Sequence, residues 1–131
     1  MVYVYIVKNT MNHQELETRL MHLVVNVVET FQVAGSGFEV LYLKDQVFRA
    51  SVSAVLNYSE GQSAESRKDF SHKCSLVLKE LRETHMGLRI LQQLQPDIAN
   101  PSLDQALHEV NQLVAIFTST IKSLKKEGGN I

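Results

Sequence analysis

The residues that break helices are confined to a few short stretches of this chain, and their placement constrains the fold more than any other feature. Both prolines, Pro96 and Pro101, fall in one stretch, and most glycines lie at positions 35, 37 and 61 or in the C-terminal tail. Proline and glycine are the residues least compatible with a helix interior, so the long segments between these stretches are free to be helical. The placement predicts helices separated by short connectors.

The first segment carries a helix start and a helical repeat of apolar residues. Asn12 is a candidate N-cap, and Glu15, three residues later, completes a capping box. Apolar residues then recur at positions 16, 20, 23, 24, 27, 28 and 31, which predicts an amphipathic helix over about residues 13–33. The stretch Gly35-Ser36-Gly37 lacks a preceding strand and a complete Gly-x-Gly-x-x-Gly pattern, so we predict a connector and not a phosphate site.

Three further helices follow along the chain. The second, about residues 39–60, is apolar or small over more than half of its circumference, which indicates burial on more than one side, and Gly61 is its candidate C-cap. The third, about residues 65–94, begins at a cap at Ser63 or Ser66 and repeats apolar residues in alternating steps of three and four. The fourth, about residues 103–126, begins at Ser102, with Gln105 placed to complete a capping box.

Four amphipathic helices with short connectors bury their apolar faces most simply against one another. We therefore predict one all-α domain over residues 1–131, an up-down-up-down four-helix bundle with a short N-terminal arm. The arm, residues 1–9, contains Val2-Tyr3-Val4-Tyr5-Ile6-Val7, whose β-branched and aromatic residues favour an extended conformation. An unpaired strand of this kind aggregates unless it docks on its own bundle or on a neighbouring subunit, and both alternatives are open.

The composition narrows the class of protein. The chain has 13 basic and 14 acidic residues, a net charge of −1 and a pI near 6.5, so it lacks the positive excess of a dedicated nucleic-acid domain. Its single cysteine cannot form an intramolecular disulfide and fits a reducing compartment. The apolar run at residues 1–7 is too short to span a membrane and lacks the features of a signal peptide. We therefore expect a cytoplasmic protein with no membrane partner.

The sequence contains no arrangement of residues typical of catalysis or metal binding. A di-iron carboxylate bundle needs two Glu-x-x-His pairs, and none occurs among the five histidines. Cys74 falls on the apolar seam of the third helix, where a free cysteine behaves as a small hydrophobe and has no general base beside it. No Gly-x-Ser-x-Gly, P-loop, His-Glu-x-x-His or Cys-x-x-Cys pattern occurs. The sequence therefore predicts no catalytic residue, metal site, cofactor or small-molecule substrate, and no enzyme.

A row of polar residues shares one face of the second helix. At 100° per residue, its members are Gln46, Arg49, Ser53, Asn57 and Glu60. One interpretation is a binding groove. The other is a polar seam that fixes the register of two helices, in which Arg49 pairs with Glu80 or Glu83 on the third helix, because a buried arginine is costly without a partner.

Basic residues are concentrated in the second half of the chain. Residues 1–66 hold four basic and seven acidic residues, and residues 67–131 hold nine basic and seven acidic residues. In an up-down-up-down bundle the start of the third helix and the end of the fourth lie at the same pole. The cations there form a candidate rim for nucleic-acid phosphates: Arg67, Lys68, Lys73, Lys122, Lys125 and Lys126. The alternative interpretation is an ordinary solvated helix surface.

Four stretches, in this order and spacing, resemble the family of four-helix-bundle proteins encoded in intervening sequences of 23S ribosomal RNA genes: Lys44–Ser53, Asn57–Gly61, Ser66–Phe70 and Leu78–Thr84. The resemblance implies a small cytoplasmic bundle that assembles into a ring, commonly a pentamer, and that is not known as an enzyme. It also implies kinship with the accessory proteins of diversity-generating retroelements, which associate with a reverse transcriptase and nucleic acid.

Two functions are compatible with these features. The first is a non-catalytic homo-oligomeric scaffold that binds RNA, DNA or a nucleic-acid enzyme at the basic rim. The second is a protein-only assembly module, in which the apolar second helix and the N-terminal arm contact other subunits and no nucleic acid is bound. Binding of nucleic acid that weakens steeply with salt distinguishes the first function from the second.

Overall fold

The computed structural model describes residues 11–128, and all four predicted helices are present within them. They are α1 (His13–Ala34), α2 (Phe38–Gly61), α3 (Arg67–Leu94) and α4 (Pro101–Gly128). Each begins and ends within two residues of its predicted bounds. The predicted arm, residues 1–9, lies outside the described residues.

The four helices form a closed up-down-up-down bundle. Each helix contacts its neighbour along the chain, and α4 returns to pack against α1. The antiparallel order of α1 and α4 is visible in two contacts: Arg19 bonds Glu109, whereas Thr30, near the other end of α1, bonds Asn100 just before α4. Among residues 11–128 every regular element is a helix, so the predicted all-α fold is confirmed.

One apolar core runs along the axis of the bundle. All four helices contribute residues with almost no exposed surface, among them Leu16, Tyr58, Leu81 and Phe117. The rings of Tyr58 and Phe117 meet edge to face, with centroids 5.6 Å apart and planes at 85°, a favoured geometry for aromatic pairs. Each such large side chain stabilises the fold by roughly 1.5–3 kcal/mol through burial.

Side chains at the helix starts satisfy backbone N–H groups that have no partner within the helix. Asn12 is the N-cap as predicted, because its Oδ1 accepts from Glu15 N at 2.8 Å. The reciprocal bond of the predicted capping box is replaced by a side-chain bond, in which Asn12 Nδ2 donates to Glu15 Oε1 at 3.2 Å. Of the two candidate caps for α3, Ser66 is used, and its Oγ accepts from Asp69 N at 3.1 Å.

The predicted cap of α4 at Ser102 is wrong. Asn100 caps this helix instead, because its Oδ1 accepts from Leu103 N at 3.1 Å and Pro101 then occupies the first helical position, where proline needs no N–H partner. The Asn100 amide also reaches α1 and donates to Thr30 O at 3.1 Å. Nearby, Gln95 Nε2 donates to Ala34 O at 2.8 Å. The loop between α3 and α4 thus binds the last turn of α1.

Two glycines bring α2 and α3 close together. Gly61 is the last residue of α2 and is buried; a Cβ there would lie 3.2 Å from Lys73 Cβ and 3.4 Å from Phe70 Cδ1. A Cβ at Gly87 would overlap Cγ2 of Val47. Gly61 therefore serves close helix packing, and the C-cap of α2 is Gln62 and not Gly61 as predicted.

Candidate nucleic-acid interface

The start of α3 and the end of α4 lie at the same pole of the bundle, and Lys125 lines the same groove as Ser75 and Lys79. Of the six predicted rim residues, five have exposed side chains there: Arg67, Lys68, Lys122, Lys125 and Lys126. The sixth, Lys73, is turned towards α2, where its Nζ donates to Glu60 Oε1 at 2.5 Å. Lys73 is therefore engaged within the bundle, while the other five share its basic pole.

A surface groove runs between α3 and α4 from this pole towards the middle of the bundle. We call it the α3–α4 groove; its volume is about 590 Å³, and its lining is Ser75, Leu78, Lys79, Arg82, Glu83, Met86, Ile121 and Lys125. Lys79 and Arg82 belong to α3 and Lys125 to α4, so cations approach from both sides. Leu78, Met86 and Ile121 supply apolar surface between them.

The cationic side chains of this groove form no ion pair with another residue of the described chain. Ion pairs of the described chain include Arg19 with Glu109, Arg49 with Asp45, and Lys73 with Glu60. None of them involves Lys79, Arg82 or Lys125, and Glu83 is the one carboxylate of the lining. Three cations against one carboxylate give the groove a net positive charge, which attracts a phosphate-bearing ligand.

Another cation of α3, Arg89, lies beyond the groove and close enough to His85 to affect its pKa. His85 lies one turn from Arg82, and both its burial and the positive charge of Arg89 lower its pKa. A neighbouring cation disfavours protonation of histidine because the protonated ring carries the same charge. Burial is the larger of the two causes, and Arg89 adds to it.

Lys79 and Arg82 are not evident in the sequence as members of a cationic site, because each is an isolated cation in the middle of α3 and not part of a run at a helix end. They stand one and two turns beyond Ser75, on the side of α3 that faces α4. An antiparallel alignment of α3 with the Ile121–Lys125 turn would have placed them opposite Lys125. That alignment depends on which faces of α3 and α4 meet, and this cannot be inferred from the spacing of residues within one helix.

The polar row of α2 does not form the predicted seam with α3. Arg49 is exposed and its Nε lies 3.4 Å from Asp45 Oδ1 on its own helix, not beside Glu80 or Glu83. Gln46 is also exposed. The reason is that α2 directs a neighbouring arc, which includes Val47, Ala50 and Ala54, into the core, so Gln46 and Arg49 are turned outwards.

The rest of the row behaves in two ways. Asn57 and Ser53 are half-buried, and Asn57 Nδ2 donates to the Ser53 carbonyl at 2.9 Å, within α2 itself. Glu60 is the one member that bonds a residue of α3, through its ion pair with Lys73. Glu83 faces the α3–α4 groove instead. The row therefore offers one inter-helix bond and no enclosed groove.

A second surface, on the opposite side of the bundle, is apolar. We call it the α1–α2 apolar strip; it consists of Met21, Val24, Val25 and Val28 on α1 and Leu41, Phe48, Val52, Val55 and Leu56 on α2. Its centre is a shallow depression between the two helices, lined wholly by apolar side chains. Val25 and Leu56 are 56% and 55% exposed. A contiguous apolar surface of this kind is typical of an interaction site.

The structure offers little for nucleophilic or metal chemistry in the residues that it describes. Cys74 is buried in the core, and burial raises the pKa of its thiol to about 12, so it remains protonated at neutral pH. Between residues 11 and 128, no cluster of three histidine, cysteine or acidic side chains is arranged to hold a metal ion. No helix of that same part is long and apolar enough to cross a membrane.

The closed bundle of four antiparallel helices defines an all-α four-helix-bundle protein. The family model for the 23S rRNA-intervening sequence protein matches residues 13–119, and the chain belongs to this family. The resemblance of α2 and α3 to that family is therefore confirmed. No curated protein matches the chain significantly.

A solved structure has the same fold. It is a crystal structure of a protein of unknown function from the S23 ribosomal protein family of Bacteroides thetaiotaomicron VPI-5482. It superposes with a TM-score of 0.73 and 22% sequence identity, over 86% of this chain and 99% of the other. At this identity the likeness shows the fold alone.

Proposed function

We propose that this protein is a non-catalytic, self-assembling scaffold that binds nucleic acid along its α3–α4 edge. The observation that carries the proposal is the set of cations in the α3–α4 groove, Lys79, Arg82 and Lys125, which have no ion-pair partner within residues 11–128. Cations left available in a concave surface favour contact with phosphate oxygens. The exposed lysines of the neighbouring pole, Lys68, Lys122 and Lys126, extend this surface.

In the same proposal, the α1–α2 apolar strip is the surface that binds a second copy of the chain. Side chains such as Val25 and Leu56 cost free energy in water, and burial against a neighbouring subunit recovers about 25 cal/mol for each Å² removed from solvent. A ring, commonly a pentamer as the resemblance implies, repeats each α3–α4 groove. Several weak phosphate contacts on one assembly then act together on one strand.

The alternative is an assembly module without a nucleic-acid ligand. The α1–α2 apolar strip favours it as strongly, since self-assembly needs no cations. In either case we propose the cytoplasm as the site of action, since the free and buried Cys74 is compatible with a reducing compartment. Salt-dependent binding separates the two proposals.

The nucleic-acid part is tested by fluorescence anisotropy with labelled RNA and DNA over a series of salt concentrations. The double variant Lys79→Gln/Arg82→Gln is compared with Lys44→Gln/Arg49→Gln, which removes the same charge from exposed positions of α2. We expect the first to bind more weakly and to reduce the slope of log K against log salt by about 2, and the second to match the unmodified protein. Absence of binding at low salt, or equal losses in both variants, overturns the proposal.

The assembly part is tested by light scattering after size exclusion at micromolar concentration. We expect an oligomer, and we expect Val25→Asp or Leu56→Asp to dissociate it because a carboxylate would be buried at the interface. Ile90→Asp, at an exposed apolar position of α3 outside the strip, serves as the control. A monomeric unmodified protein contradicts this part of the proposal.

A further inference from the structure

The α3–α4 groove combines two kinds of surface that a simple phosphate site does not need. Lys79, Arg82 and Lys125 supply charge at its sides. Between these cations the floor of the groove is apolar and is formed by Leu78, Ile121 and Met86. Leu78 and Ile121 are largely covered, whereas the side chain of Met86 is 52% exposed. A ligand that fills the groove must therefore offer negative charge and apolar surface within a few ångströms of each other.

Single-stranded and double-stranded nucleic acids differ in this respect. A duplex displays its phosphates but stacks its base faces inside, so the apolar floor would gain no partner. A single strand displays phosphates and base faces together, and proteins that bind it combine a positive groove with surfaces on which bases pack. The floor of this groove is aliphatic, so its contribution per base is smaller than that of an aromatic platform.

The shape of the groove favours the same ligand. The groove is an open depression with a volume of about 590 Å³, which is large enough to receive a small organic group from solvent. A flexible strand can bend so that one base enters such a concavity. A duplex, with a persistence length of about 150 base pairs, does not bend on this scale without a large cost.

We propose that the α3–α4 groove binds single-stranded nucleic acid in preference to duplex. Phosphates contact Lys79, Arg82 and Lys125, and a base covers the apolar floor around Met86. Glu83, at the α3 side of the lining, repels phosphate and so directs the backbone towards the cations. This inference rests on the nucleic-acid function proposed above and specifies its ligand.

The experiment is an anisotropy titration with four labelled probes of equal length in nucleotides: oligo-dT, oligo-U, a DNA hairpin and an RNA hairpin. We expect the single strands to bind about tenfold more tightly than the hairpins at the same salt concentration. Tighter binding of oligo-dT or of oligo-U than of the hairpin with the same sugar supports the proposal, and the tighter of the two single strands shows whether the groove prefers DNA or RNA.

Two matched variants separate the floor from the cations. Met86→Ser removes apolar surface from the groove, and Ile90→Ser makes the same change one turn later on α3, at a side chain of similar exposure outside the lining. We expect Met86→Ser to weaken single-strand binding about threefold with an unchanged salt slope, because no charge is lost. We expect Ile90→Ser to bind as the unmodified protein does.

The outcomes distinguish the two proposals from each other. If hairpins bind as tightly as single strands, or if Met86→Ser matches Ile90→Ser, the single-strand preference is overturned while nucleic-acid binding stands. If none of the four probes binds at low salt, the proposed nucleic-acid function itself fails.

Discussion

The two flanks of α3 are built differently, although they belong to one helix. On the flank that faces α2, Gly87 and Gly61 let the two helices approach closely, and Lys73 is paired with Glu60. On the flank that faces α4, the surface opens into the α3–α4 groove, where Lys79 and Arg82 have no ion-pair partner within the described chain.

The difference shows where this bundle uses its residues for stability and where it leaves them for contact with a ligand. Small residues and paired charges fix the distance and register of α2 against α3. Long cationic side chains above an apolar floor contribute little to stability, since exposed positions usually change the free energy of unfolding by less than about 0.5 kcal/mol when substituted. Substitutions on the two flanks should therefore have separable effects on folding and binding.

The largest effect is expected at Gly87. An alanine Cβ there would overlap Cγ2 of Val47, whose β-branched side chain cannot easily rotate away. We expect Gly87→Ala to lower the free energy of unfolding by about 1–3 kcal/mol despite the better helix propensity of alanine. Urea denaturation measures the change, with Ser75→Ala on the open flank as the control.

The cause of that loss is checked with a second substitution. In a Val47→Ala background the overlap is removed, so Gly87→Ala should cost much less there than in the unmodified protein. If Gly87→Ala lowers the free energy of unfolding equally in both backgrounds, the overlap with the Val47 side chain is not the cause of the loss.

A smaller effect is expected from the ion pair on the closed flank. Lys73→Ala removes the partner of Glu60, and the side chains of the pair are 30% and 60% exposed. We expect a loss of about 0.5 kcal/mol in the free energy of unfolding, reduced at high salt because such pairs are screened. Urea denaturation at low and high salt measures it, and a loss that does not respond to salt would argue against an electrostatic origin.

The pKa of His85 is lowered by burial and, to a smaller extent, by the charge of Arg89, and both causes can be tested. Its pKa is lowered in the folded protein, so below about pH 6.5 the unfolded chain binds more protons and the folded state becomes less stable. Above that pH the histidine is neutral in both states and has no effect. We expect Arg89→Gln to raise the pKa of His85 in an NMR titration; an unchanged pKa would contradict the assigned contribution of Arg89.

The smallest effect on stability is expected on the open flank. Lys79→Ala and Arg82→Ala should each change the free energy of unfolding by less than about 0.5 kcal/mol, because neither side chain forms an ion pair within residues 11–128. Urea denaturation of both variants checks this. A loss above 1 kcal/mol in either would mean that the groove is part of the structural framework, and the contrast between the flanks would disappear.

The helices themselves were largely predictable from the sequence, because capping residues and apolar periodicity act locally. Asn12 binds Glu15 N three residues later, and Ser66 binds Asp69 N in the same way. The cap of α4 was predicted wrongly, although Asn100 followed by Pro101 is also a local capping signal. Asn100 outcompetes Ser102 partly because it also bonds Thr30, a partner 70 residues away.

The site was harder to predict for a related reason. Clusters such as Lys122, Lys125 and Lys126 are evident in the sequence, but the use of each charge depends on the neighbouring helix. Lys73 and Arg82 look alike along α3, yet Lys73 meets Glu60 on α2 and Arg82 faces the groove beside α4. The predicted pairing of Arg49 with Glu80 or Glu83 is wrong for the same reason, because the rotation of α2 about its axis turns Arg49 outwards, where it pairs with Asp45.

The hydrogen bonds of Gln95 and Asn100 to α1 also have a consequence for how the chain is made. Ala34 O and Thr30 O receive their donors from residues 61 and 70 positions later. During synthesis on the ribosome, neither donor exists until Gln95 and then Asn100 have been translated. A nascent chain that stops before Gln95 can form the backbone bonds of α1, but the end of this helix gains its side-chain donors only when the last helix is about to begin.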